Sequence, residues 1–84
     1  MPEVSRFYGI IIKMFFKPKE HEPAHIIAIY GESLGVFDVQ SMMMTEGDLP
    51  NRAQEFVKMW MAGHQNELLE MWKEQKPSAI SPLI

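Results

Sequence analysis

Two of the chain's three histidines stand close together: His21 and His25 flank Pro23 in the stretch "HEPAHII". Neutral imidazoles are good ligands for zinc, nickel or copper, and Glu20 and Glu22 could supply oxygen. Histidines four apart share a face only in a helix, and Pro23 forbids a helix there. In a loop the pair could still converge, so His21 and His25 are weak metal candidates. Their plainer roles are a loop residue bonding backbone for His21 and a strand-edge residue for His25. Arg6 and Arg52 flank apolar segments. A guanidinium binds planar anions bidentately, although a surface ion pair is its commoner use. Arg6 with His21 and His25 would be the catalytic candidates of a small ribonuclease-like cluster. The third histidine, His64, falls on an apolar helical stripe. A buried neutral imidazole bonded to a carbonyl, to Tyr8 or to Tyr30 is the ordinary explanation there, and acid-base work is the alternative.

Such side chains need a scaffold, and the composition bounds it. Eighty-four residues make one domain with a thin core. The net charge is −3, with eight Lys and Arg scattered among eleven Asp and Glu, so no basic footprint invites nucleic acid. No stretch approaches the roughly 20 apolar residues of a membrane span. The start "MPEVSRF" lacks a secretory layout, and there is no cysteine. A cytoplasmic protein without cofactor or membrane partner is expected. Eight methionines supply flexible apolar filler of a kind also used on adaptable binding surfaces.

"FYGIIIKMFF" is β-branched and aromatic and is bounded by Pro18, which predicts a strand over 7–16. Alternation puts Tyr8, Ile10, Ile12, Met14 and Phe16 on the core face. "HIIAIY" predicts a second strand over 25–30, Gly31 a turn, "LGVFDVQ" a third strand over 34–40, and "MMMTE" a short fourth over 42–46. The connections are too short for crossovers, so the strands are antiparallel. A helix over 51–75 is predicted from the Asn51 and Gln54 capping spacing, Pro50 ahead and Pro77 beyond. Its stripe is Ala53, Val57, Trp60, His64, Leu68 and Met71, flanked by Phe56 and Trp72, with Lys58, Gln65 and Glu70 turned away. Gly63 permits a bend. The tail over 77–84 is extended, with Ile80, Leu83 and Ile84 expected to pack down. The fold class is therefore α+β: a three- or four-stranded antiparallel meander packed on one long C-terminal helix.

One helix covers one face of a small sheet. If Ile26, Ala28 and Tyr30 join the core face, then His25, Ile27 and Ile29 point away with Ile11, Phe15, Leu34 and Val36. That second apolar face calls for a cover. The tail, a protein partner or a second copy are the options, as is a register one residue out.

Taken in order, "VSRFYGIIIKMFF", "HEPAHIIAIYGE", "EGDLPNRA", "W…HQNELLEMW" and "ISPLI" resemble the prokaryotic domain-of-unknown-function family 4160 along nearly the whole chain. That family has a serine-arginine-phenylalanine start, a histidine-x-proline-proline-histidine-phenylalanine-histidine motif entering a strand, a glycine-x-leucine-proline helix entry and a tryptophan-bearing helix. Ser5, Arg6, Phe7, His21, Pro23, His25, Gly47, Leu49, Pro50, Trp60 and Trp72 stand at matching places. Here Ala24 replaces the motif's second proline, Ile26 its aromatic residue and Ile27 its third histidine, so a site needing that imidazole would be crippled. The resemblance implies a small protein often encoded beside another small protein in a toxin-antitoxin-like arrangement, and it brings no activity with it.

The leading expectation is a non-enzymatic interaction module, one half of a toxin-antitoxin-like or regulatory pair, meeting a protein partner or itself as a homodimer through the apolar sheet face. A histidine-dependent RNA-cleaving toxin-like enzyme is the alternative. A metal-binding module comes third.

Overall fold

The computed structural model describes residues 3–14, 24–74 and 79–82. Five strands form one antiparallel sheet in the order β1-β2-β3-β4-β5, followed by a single helix. They are β1 (Glu3–Phe7), β2 (Ile10–Lys13), β3 (His25–Tyr30), β4 (Ser33–Asp38) and β5 (Met44–Gly47), with α1 spanning Asn51–Glu74. The α+β meander on a C-terminal helix is thus present, with one strand more than the pattern predicts.

The extra strand corrects the expected strand over 7–16. Tyr8 and Gly9 both have positive φ, 50° and 79°, which is the geometry of a two-residue hairpin turn matched to strand twist. Phe7 then pairs with Ile10 and Arg6 with Ile11. Gly9 takes this conformation freely, whereas Tyr8 pays roughly 1 kcal/mol for it. Two ring contacts oppose that cost, against Phe56 at 4.8 Å and edge-on to Phe7 at 6.3 Å. The turn also reverses parity: Phe7, which a continuous strand would set opposite Ile10, is buried beside it, and Tyr8, expected in the core, is 56% exposed. Tyr30, expected in the core too, lies at the sheet's rim beside the turn and is 43% exposed.

The inner face of the sheet carries Ile10, Ile12, Met14, Ile26, Ala28 and Phe37, all buried. Against it α1 lays Ala53, Val57, Trp60, Met61, Leu68 and Met71. The first turn of α1 closes differently from the predicted box. The Pro50 carbonyl accepts the Gln54 N–H, and the Gln54 amide turns back to donate to Leu49 O at 2.6 Å. Next to Gly63 the helix kinks at His64, whose φ and ψ of −132° and 17° are not helical. Just beyond it Gln65, expected on the solvent side, instead donates to Val39 O and Gln40 O at 3.0 and 2.9 Å; it stands four residues after buried Met61 and three before buried Leu68, at the margin of the buried face.

The tail does pack down where it is described. The Ile80 N–H donates to Val4 O at 2.9 Å beside the edge strand, its side chain is buried, and Trp60 Nε1 donates to Ser81 O at 2.9 Å. These contacts bring Ile80 into the core between helix and sheet, rather than across the opposite face. Leu83 and Ile84 lie outside the described residues.

Candidate functional site

The pleat sends alternate side chains of each strand outward, and register aligns them in rows across the sheet. One row reads Arg6, Ile11, Ile29, Leu34; the next reads Glu3, Lys13, Ile27, Val36, Glu46. Ile11, Ile27, Ile29 and Val36 are half-buried and Leu34 is 43% exposed. The aliphatic set read from alternation is therefore brought together on one surface, the face away from α1. Phe15, expected with them, lies outside the described residues.

At one end this face dips into an open hollow of about 340 Å³ lined by Ala24, His25, Ile27, Val36, Asp38, Thr45 and Glu46. His25 and Asp38 are cross-strand partners, which brings an imidazole and a carboxylate to the same lip. The His25 ring also lies 4.9 Å from that of Trp72, near the end of α1. Asp38 has structural work as well: its Oδ1 accepts the Gln40 N–H at 2.8 Å, which shapes the turn between β4 and β5. Thr45 donates to Val36 O at 3.3 Å across an irregular step in the pairing of β4 with β5.

The other candidate residues are placed elsewhere. Arg6 sits in register with Ile29, four residues along β3 from His25 and two strands away. That separation is roughly 16 Å at ordinary strand dimensions, so Arg6 and His25 do not share a cluster. Its guanidinium pairs with Glu3 at 2.8 Å, and this hydrogen bond, then the carboxylate's charge, raises the arginine above its ordinary value. His21 lies outside the described residues. Among the described residues, no group of three or more His, Asp or Glu is placed to hold one metal ion. His64 meets neither tyrosine. Its Nδ1 is 2.9 Å from Glu67 Oε1, and its ring is 5.5 Å from Trp60. No helix among the described residues is long and apolar enough to cross a membrane.

A second concave surface escaped the pattern. Tyr8, Tyr30, Phe56 and Arg52 line a groove of about 250 Å³ at the hairpin end, with the Arg52 guanidinium 5.8 Å from the Phe56 ring centre. The signal that would have found it is the Tyr-Gly dipeptide inside an apolar run, since a turn there ejects the tyrosine.

The family model described as Domain of unknown function (DUF4160) matches residues 9–73. The chain belongs to this family. Within the DUF4160 span lie the outer-face residues Ile11, Ile27, Ile29, Leu34 and Val36, the hollow and nearly all of α1. Arg6, β1 and the tail fall outside it. No curated protein and no solved structure matches the chain.

Proposed function

We propose that this DUF4160 protein is an interaction module, one component of a toxin-antitoxin-like or regulatory pair, which docks a protein partner through the outer face of its sheet. The observation that supports this is the set of Ile11, Ile27, Ile29, Leu34 and Val36 on two adjacent rows. Apart from Trp72, whose ring meets His25 at the hollow, helix and described tail serve the inner face, and no described element is packed over these five residues. A contiguous aliphatic patch on a domain this small is a docking surface by chemistry: removing it from water is favourable, and no reaction can be run on it.

The RNA-cleaving alternative draws on His25 in the hollow. It is the weaker reading because Asp38 and Glu46 line the same hollow and would repel a phosphodiester, while Arg6 stands at the far end of the face. The test is co-expression with the product of the adjacent gene, comparing wild type with Ile27→Glu. That substitution puts a carboxylate opposite Lys13, its cross-strand neighbour, so the sheet tolerates it. Co-purification is expected for the wild type and lost in the variant at unchanged thermal stability. A folded Ile27→Glu that keeps the complex refutes docking through this face.

A further inference from the structure

We infer that the groove at the hairpin end of the sheet binds a proline-containing segment of a partner protein in polyproline-II conformation, with a carboxylate three residues from the docked proline. This site is separate from the outer face and does not depend on the reading above. Buried Ile10 and Ala53 form its floor, and Tyr8, Tyr30, Phe56 and Arg52 its walls. The rings are held in place. Those of Tyr8 and Phe56 lie 4.8 Å apart at 32°, and that of Tyr30 lies on Gly9, where an added Cβ would come within 3.3 Å of it. A turn with positive φ closes more easily on asparagine than on tyrosine, yet this one carries a ring that is 56% exposed at the groove.

The polar groups at the groove decide the ligand. Neither phenol, nor the Arg52 guanidinium, has a hydrogen-bond or ion-pair partner among the described residues; Arg52 lies only against the Phe56 ring, at 5.8 Å. A guanidinium can only donate, and a phenol donates readily. Among the described residues no side-chain carboxylate, amide or imidazole lines the groove, and the Pro50 carbonyl at its margin already accepts the Gln54 N–H. The ligand must therefore offer acceptors and bring few donors. A proline segment does so: proline has no N–H, and polyproline II leaves its carbonyls unbonded while its rings lie flat on aromatic side chains. An amphipathic helix bonds its own carbonyls, and a β-strand brings N–H groups that find no acceptor here.

Arg52 fixes the charge and Phe56 the spacing. Tyr8 and Arg52 lie against one ring, at 4.8 and 5.8 Å, so they are no more than roughly 11 Å apart, and one polyproline-II turn of three residues covers about 9 Å. Residues three apart share an edge of that helix. A proline on the tyrosines thus brings a side chain three residues away to Arg52, where a carboxylate makes a charge-assisted pair. Glu32, Asp48 and Glu55 each stand within three residues of a lining residue, and the chain carries −3 overall. One carboxylate fits such surroundings, and a polyanion does not.

The experiment is a heteronuclear NMR titration of the full chain with the capped peptide Pro-Pro-Pro-Glu-Pro-Pro-Pro, which sets a proline three residues from the glutamate in either direction. The groove, about 250 Å³, is smaller than drug-type pockets, so the Kd is expected between about 10 μM and 1 mM. Saturable shifts are expected at Gly9, Arg52 and Phe56. Exchanging the peptide's glutamate for glutamine is expected to weaken binding about threefold, and Arg52→Gln to erase that difference. Tyr8→Asn is expected to keep or raise Tm and to weaken binding about fivefold; Tyr30→Thr gives the same reading if Tyr8→Asn does not fold. Ile27→Glu is expected to bind like the wild type, which separates this site from the outer face. Absence of saturable shifts up to about 5 mM peptide, shifts centred on the outer face, or undiminished binding by a folded Tyr8→Asn or Tyr30→Thr overturns the site. A lysine peptide that binds better than the glutamate one overturns the charge assignment, and a Gly-Ser peptide with the same glutamate that binds as tightly overturns polyproline-II recognition. Sodium benzoate shifting the same residues where the peptide does not makes the ligand a small aromatic acid and overturns the proposal. A wild-type mass that rises with concentration, and no longer does so in Tyr30→Thr, puts a second copy in the groove and overturns it too.

Discussion

Trp60 joins the helix, the hairpin and the tail, and its removal is the sharpest test of the packing. The side chain is 1% exposed, its ring lies 5.7 Å from Phe7, and its Nε1 donates to Ser81 O at 2.9 Å. Truncation to alanine uncovers roughly 150 Å² of apolar surface, worth about 4 kcal/mol at ~25 cal/mol per Å². That agrees with the ~3–5 kcal/mol usual for such changes in cores. The lost hydrogen bond adds only about 1 kcal/mol, because Ser81 is exposed and its carbonyl is free to solvate. A chain of 84 residues has about 4–13 kcal/mol of stability in total, so Trp60→Ala is expected to be unfolded or nearly so. Trp60→Phe keeps most of the packing and loses the bond, at about 1–2 kcal/mol. With an unfolding entropy of roughly 0.18 kcal/mol/K for this length, that lowers Tm by about 6–12 °C, against about 25 °C for alanine. Calorimetry with near-ultraviolet dichroism reads both variants, and Trp72 remains as the fluorophore. A cooperative Trp60→Ala transition within 10 °C of wild type would refute the placement of Trp60 at the junction.

Two glycines should respond in opposite directions. At Gly47, where φ is +116° and a Cβ would lie 2.1 Å from Leu34 O, alanine is expected to cost more than about 3 kcal/mol in chemical denaturation. At Gly63 an added Cβ meets nothing within 4 Å, so alanine should be neutral or stabilise by up to about 1 kcal/mol; a loss there would show that the kink at His64 needs glycine before it. Zinc, nickel and copper titrations are expected to show no sub-micromolar stoichiometric site, and His21→Ala and His25→Ala should leave them unchanged. Tight binding abolished by either substitution would restore the metal reading.

What the sequence by itself determined was periodicity. Alternation in "GIIIK" and "HIIAIY" assigned Ile10, Ile12, Ile26 and Ala28 inward and Ile11, Ile27 and Ile29 outward, because a pleat offers only two faces. Spacing around Ala53, Val57, Trp60 and Leu68 likewise settled the buried side of α1, and the segments from "VSRFYGIIIKMFF" through "HEPAHIIAIYGE" and "EGDLPNRA" to "W…HQNELLEMW" carried the family likeness, which the family model matches over residues 9–73. Periodicity is a local property and is blind wherever the chain turns without a change of composition. Tyr8 and Gly9 turn inside an unbroken apolar run, so only pairing of Phe7 with Ile10 revealed the fifth strand and moved Tyr8 and Tyr30 to the rim. Tertiary packing likewise decided that the His64 imidazole meets Glu67 and neither tyrosine, and that Gln65 reaches Val39 and Gln40. Tertiary structure alone decided which candidates meet: cross-strand register put His25 beside Asp38 and kept Arg6 two strands away. Register is a contact between segments distant in sequence, chosen by twist, turns and burial together, and no single segment encodes it.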